Sequence, residues 1–201
     1  MKMKSSKTGN RLGQYLLLVI SVMLLSGWMT GCTPSETVKE EISREKFYFD
    51  LERVVKQDID TNTTNHLSEN KTVIINGRKE TKKIDTVDWK LELQPIADAD
   101  INRAAWKGKF LADTLDVGVA GRKTIQYRAL SADIPVQSMR VDFENNQVYR
   151  VSILKKINSM LFTSIQYMDY YPRKGFIIRS EQKAFIINSL QTEIAVDFVK
   201  K

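Results

Sequence analysis

From Lys109 to Val199 the apolar residues recur with a period of two, interrupted only by short polar turns. Thr192, Ile194, Val196 and Phe198 alternate with Glu193 and Asp197, the pattern of a strand with one buried face and one wet face. The same alternation predicts strands over 109–118, 123–131, 134–144, 147–157, 161–171, 175–187 and 192–199. The turns between them are far shorter than the roughly dozen residues that a parallel crossover needs, so neighbours must run antiparallel. The expected object is a six- to seven-stranded meander, as a curved sheet or a partly closed barrel, with helices on its concave side or across one end.

Face parity constrains the hairpin around Asn145-Asn146. Met139, Val141 and Phe143 share one face before it, and Tyr149, Val151 and Ile153 share one face after it. Partners in an antiparallel pair have a constant index sum, so joining these sets requires an even sum. The simplest solution is 290, which sets Val141 opposite Tyr149 and Met139 opposite Val151 around a three-residue loop, Glu144-Asn145-Asn146.

Upstream the period changes. Phe47, Leu51, Val54, Val55 and Ile59 form the stripe of an amphipathic helix over Ser43–Asp60, with Ser43 as its cap. Its polar face mixes signs, as in a helix that covers a sheet rather than one lying on a membrane. Residues 61–70 read as a loop by composition. Asn76-Gly77 between strand-like runs predicts a hairpin across Lys71–Ile84, and its basic return arm (Arg78, Lys79, Lys82, Lys83) suits a guarded sheet edge or an anionic patch. A second helix is expected over 88–101, kinked or shortened at Pro95. The fold class is therefore α+β: one or two amphipathic helices and a hairpin in 43–106, then the meander in 107–201, together one domain.

The first 42 residues have another character. Lys2, Lys4, Lys7 and Arg11 precede the apolar run Tyr15–Leu25, and residues 1–31 contain no acid. Even extended to Met29 the run has 15 residues, short of the roughly 20 that span a bilayer. No alanine occurs before Ala97, so an ordinary small-x-small cleavage site is poorly met. The segment Met29-Thr30-Gly31-Cys32 resembles instead the lipobox of bacterial lipoproteins, with Met29 in place of the usual Leu. That resemblance implies cleavage between Gly31 and Cys32, a lipid on the Cys32 sulfur, a signal peptide over 1–31 and a tether over 32–42. It implies an envelope location, and Thr33, in place of an inner-membrane-retaining Asp, favours the outer membrane, facing the periplasm or the surface. The run Lys39-Glu40-Glu41 is similar to charged surface-export signals of Bacteroidetes lipoproteins, and a solvated linker explains it equally. Residues Phe47 to Trp106, with Asp88-Trp89 and Asp100-Ile101-Asn102, also resemble small Bacteroidetes-type lipoproteins, a likeness that implies no activity.

Removing the leader leaves 27 basic and 24 acidic side chains in 32–201. That mixed charge offers no phosphate-tracking stripe, and nucleic acid is not an expected partner. One cysteine and one histidine, His66, exclude a disulfide framework and a multi-histidine metal centre. No P-loop, dinucleotide fingerprint, zinc-protease motif or nucleophile elbow occurs, so no catalytic residue, metal or cofactor is expected. Asp98, Asp100, Asp113 and Asp116 match no calcium loop. The candidate ligand or partner patch is aromatic: Tyr167, Tyr170, Tyr171 and Phe176, near Met160, Leu161, Phe162 and Met168. Parity puts Tyr170 on the face opposite Tyr167 and Tyr171.

Two functions from different classes fit these residues. One is a membrane-anchored, non-enzymatic binding or assembly module for an apolar ligand or an envelope protein. The alternative is an envelope hydrolase using a carboxylate pair, which requires two facing acids whose environments separate their pKa values.

Overall fold

The alternating segments pair into a nine-stranded, wholly antiparallel sheet, seen in a computed structural model that describes residues 46–116, 118–184 and 189–200. The expected signal peptide, Gly31, Cys32 and the tether lie outside the described residues. In chain order the elements are helix α1 (Leu51–Thr64), strands β1 (Ser68–Ile75) and β2 (Arg78–Ile84), short helices α2 (Trp89–Glu92) and α3 (Gln94–Ala97), and a 3-10 turn (Ala104–Trp106). The strands β3 (Phe110–Asp116), β4 (Arg122–Ala129), β5 (Val136–Glu144), β6 (Gln147–Asn158), β7 (Phe162–Tyr171), β8 (Gly175–Ala184) and β9 (Leu190–Val199) follow. All lie within one unit, Glu45–Lys201.

The sheet order is β2-β1-β9-β8-β7-β6-β5-β4-β3. Strands β3 to β9 run as a continuous meander, and β1 adds to the free side of β9, with Ser68 opposite Val199 and Ile75 opposite Thr192. Among the described residues the sheet does not close, because β2 and β3 each have one neighbour only. The β1–β2 turn is made by Asn76 and Gly77, both at positive φ (48° and 83°), the two-residue geometry that follows the strand twist.

The β5–β6 register departs from the parity solution. Glu144 pairs with Gln147 and Phe143 with Val148, but Asp142 pairs with Arg150, Val141 with Val151 and Met139 with Ile153. The turn has two residues, Asn145 and Asn146, at φ 49° and 61°. Tyr149 is the extra residue of a bulge, which shifts the index sum to 292. The even sum that parity demands is thus reached by a bulge rather than by an odd loop, and Arg150 meets Asp142 rather than Val141.

Helix α1 starts later and ends later than its stripe. Asp50 caps it, its carboxylate accepting from Arg53 N (3.1 Å). The preceding residues are held extended by Asn102, whose Oδ1 accepts from Phe47 N and Tyr48 N (both 2.9 Å) and whose Nδ2 donates to Phe49 O (2.8 Å). The C-terminal end runs through Thr64 and stops at Asn65 and His66, the latter at φ 49°. Residues 61–70 are consequently not a loop: their first part is helical and their last part belongs to β1. In α2, Asp88 is the cap and Trp89 packs edge-on against Phe198 with ring centroids 4.9 Å apart. Pro95 starts α3, where its missing N–H is harmless, so the expected second helix is split in two.

The helices cover one face of the sheet. Leu51, Val54 and Val55 of α1, with Leu93, Ile96 and Ile101, bury against Met139, Val141, Val151, Ile153, Met168, Tyr170 and Val196 in one cluster. The alternate residues of the same strands form the opposite, outer face.

Candidate functional site

Regular alternation along β7 decides where the four patch residues go. Tyr170 is completely buried in the core opposite Phe176, itself buried. Tyr167 and Tyr171 lie on the outer face, so the structure does not bring the four together. Tyr171 meets Tyr149 edge-on at 6.3 Å between centroids, and Lys174 Nζ sits 5.6 Å from the Tyr149 ring centre. Tyr167 belongs to a different place, an outer-face cleft of about 460 Å³ that it lines with Ile74, Gly77, Arg179, Glu181 and Glu193. There Arg179 Nε bonds Glu193 at 2.7 Å.

The bulge at Tyr149 builds a second outer-face site. Asp142 lies opposite Thr124 on one side and Arg150 on the other. Its Oδ1 accepts from Thr124 Oγ1 (2.7 Å) and Arg140 Nε (2.8 Å), and its Oδ2 from Arg150 Nε (3.0 Å) and Nη2 (2.8 Å). Burial alone would raise the Asp142 pKa, but the hydrogen bonds from Thr124, Arg140 and Arg150 together outweigh it and hold the carboxyl below its usual range. The Asp142 bonds in turn raise the Arg150 pKa. A cleft of about 160 Å³ beside them is lined by Arg122, Lys123, Arg140, Glu144, Tyr149 and Arg150. With four donors already on one carboxylate, Asp142 has no lone pair left for a substrate proton. The cluster can hold a charged group at its rim; it is not an acid–base pair.

One pair of interacting carboxylates, Glu69 and Glu92, lies at α2. Lys71 Nζ contacts Glu92 at 2.7 and 2.8 Å, and Glu69 faces both charges. Glu69 is only 1% exposed, and its Oε2 has no hydrogen-bond partner. Burial first, then repulsion from Glu92, pushes its pKa up to about 6 against the pull of Lys71. A hydrolase needs such a group at a substrate; here it is sealed beneath the helix. The sign of its contribution follows from linkage. The folded state holds the Glu69 proton more tightly than the unfolded chain, so stability falls as pH rises from 4.5 to about 6. A shift of that size corresponds to about 2 kcal/mol. Glu69→Gln should therefore be more stable than the parent by up to about 2 kcal/mol at pH 7.5 and nearly equal to it at pH 4.5, read from urea unfolding. An equal difference at both pH values would contradict this.

The aspartates singled out in the sequence serve the frame. Asp98 accepts from Gln94 Nε2 (2.8 Å), Asp100 from Asn102 N and Nδ2 (both 3.0 Å), and Asp113 pairs with Arg128; the side chain of Asp116 lies outside the described residues. His66 is exposed at the end of α1. Among the described residues no group of three or more His, Cys, Asp or Glu is placed to hold a metal ion. Neither Asp142 nor Glu69 was marked by sequence spacing. Arg140, Asp142 and Glu144 precede Asn145-Asn146 and Arg150 follows, and nothing in that spacing singles out Asp142.

No protein-family model, curated protein or solved structure matches the chain.

Proposed function

We propose that this chain is a lipid-anchored envelope protein, held to the outer membrane through Cys32, whose folded body acts as a non-enzymatic assembly module for an envelope protein partner. The observation that carries the reading is the coincidence, before a folded body, of a basic leader, a short apolar run, a small residue and the sole cysteine. Two or more acyl chains give stable membrane anchoring. Among the described residues no helix is long and apolar enough to cross a membrane.

The preference for a protein partner over an apolar ligand comes from the packing. The side chains between the helices and the sheet are buried against one another, whereas the edge strand β2 is exposed over Arg78–Lys83 and offers unpaired backbone groups. Its Arg78, Lys79, Lys82 and Lys83 against the single Glu80 suit an extended acidic segment added as a further strand. The hydrolase alternative has less support, since Glu69 is sealed and Asp142 is saturated.

The anchor is tested by growing cells with radiolabelled palmitate. The parent is expected to take up label and to sediment with membranes, and Cys32→Ser to take up none. An unlabelled parent that retains Met1 would remove the reading. The partner is tested by photo-crosslinking from Lys79 and Lys82: one reproducible envelope protein should be trapped, with much reduced yield when both lysines become glutamate. Equal yields from an outer-face position would remove the edge-docking reading.

A further inference from the structure

The turns at Asn76-Gly77, Asn145-Asn146 and Pro172–Gly175 are made of polar residues, glycine and proline. The β6–β7 turn reads Ser159-Met160-Leu161-Phe162. Met160 is fully exposed, Leu161 75% and Phe162 42%. The turn is pinned by Ser159, whose N donates to Phe162 O (2.9 Å) and whose Oγ accepts from Phe162 N (3.0 Å) and Leu161 N (3.3 Å). Three consecutive apolar side chains are thus held out in water at the end of a long hairpin, an arrangement that costs solubility unless something covers them.

Charge indicates what covers them. Between Asn145 and Met168 there is no acid, and the hairpin carries Lys155 and Lys156 behind its tip. Lys183 lies opposite Thr163, next to the tip, and makes an exposed ion pair with Glu181 (3.0 Å). Lys156 pairs with Ile165, about four residues or ~13 Å behind the turn at strand spacing. That places its amine, carried on a flexible stem, at headgroup depth when the tip enters the roughly 5–10 Å that interfacial apolar groups reach. An apolar tip with a basic collar fits an anionic bilayer surface better than a protein groove, which would not require the lysines.

We propose that the β6–β7 tip inserts Met160, Leu161 and Phe162 into the interface of an anionic lipid bilayer, with Lys155, Lys156 and Lys183 on the headgroups. The proposal rests on the lipid-anchored reading only for the delivery of the body to a membrane. The 14 steps of chain from Cys32 to Lys46 span at most about 46–50 Å when fully extended. The tip then sets which way the tethered body faces, and so which sheet edge is presented.

The test uses the full chain with Cys32→Ser and one new cysteine, Met160→Cys or, as control, Lys90→Cys on α2, each carrying an environment-sensitive NBD dye. Vesicles are phosphatidylcholine alone or mixed with phosphatidylglycerol, with and without nitroxide lipids. The dye at 160 should blue-shift and be quenched by shallow nitroxides on anionic vesicles, and the dye at 90 should stay aqueous. Lys155→Glu with Lys156→Glu should weaken the tip signal at least about tenfold, and added salt should do the same in the unaltered tip. Because the apolar leader can bring any variant to the vesicles, sedimentation without a tip signal would overturn tip insertion and leave the palmitate result untouched. Equal shielding at 160 and 90 would also overturn it, as would shielding at 160 that grows with protein concentration in the absence of vesicles.

Discussion

Gly175→Ala should be the most damaging single-methyl change in the described body, costing about 4 kcal/mol. Gly175 opens β8 at φ 151° and lies between Tyr171 of β7 and Asp197 of β9. A Cβ there would stand 2.0 Å from Val196 O and 3.0 Å from the Val196 carbonyl carbon. The obstacle is backbone in the neighbouring strand, so no side-chain rotation relieves it. Either β9 moves away from β8, breaking the pairing that also includes Phe198 N to Lys174 O (2.7 Å), or the turn reopens. Gly77→Ala is the matched control: φ is also positive, at 83°, but nothing lies within 4 Å of the new methyl. That variant should lose only about 1 kcal/mol of conformational preference. Thermal unfolding should separate them by roughly 6–12 °C for a body of this size. Similar losses for the two would show that the strands yield freely at Val196.

Gly175 also illustrates which parts of this fold are local. The strands from β3 to β9 were legible because one-sided burial writes a period of two into each, and tight turns leave antiparallel pairing as the only route. What escaped was decided at long range. The placement of β1 beside β9 joins residues about 130 apart in sequence, and no property of Lys71–Ile84 announces it. The start of α1 moved from Ser43 to beyond Asp50 because Asn102, more than fifty residues later, holds the intervening chain extended. Composition made 61–70 a loop, yet Asn62, Ser68 and Glu69 are buried by the sheet and helices around them.

The β5–β6 hairpin is the sharpest case. Parity correctly demanded an even register, but two constructions satisfy it, and both use asparagines that tolerate positive φ. The choice went to the bulge, which sets Asp142 against Arg150 and so assembles the saturated carboxylate on the outer face. A bulge has no residue signature of its own. The candidate patch divides as parity assigned it: Tyr170 lies on the core face, and Tyr167 and Tyr171 lie on the outer face. Of the apolar residues grouped with the patch, Met168 is buried, and Met160, Leu161 and Phe162 at the β6–β7 tip are exposed.

Asp58→Ala should cost about 3 kcal/mol, because it removes the one carboxylate that joins α1 to the far turn of the sheet. Asp58 Oδ2 accepts from Tyr170 Oη and from Arg173 N, both at 2.6 Å. Tyr170 is fully buried, so its hydroxyl has no water as an easy substitute, and the turn at Arg173, at φ 66°, loses its tie to the helix. Burial raises the Asp58 pKa against the opposing pull of these two hydrogen bonds and of the Arg173 charge, and burial with the nearby Asp58 charge raises that of Tyr170. The raised Asp58 value means that the folded state holds its proton more tightly than the unfolded chain does. Its contribution is then largest below pH 3.8 and declines as pH climbs through the folded-state value. Asp58→Asn, which keeps one acceptor and no charge, should therefore lose most relative to the parent in acid and less at neutral pH. Tyr170→Phe should lose about 1–2 kcal/mol alone, and little more when Asp58 is already alanine, since both changes break one bond. Strict additivity of the two, measured by urea unfolding in a double-mutant cycle, would mean that the helix is held to the sheet by apolar packing alone.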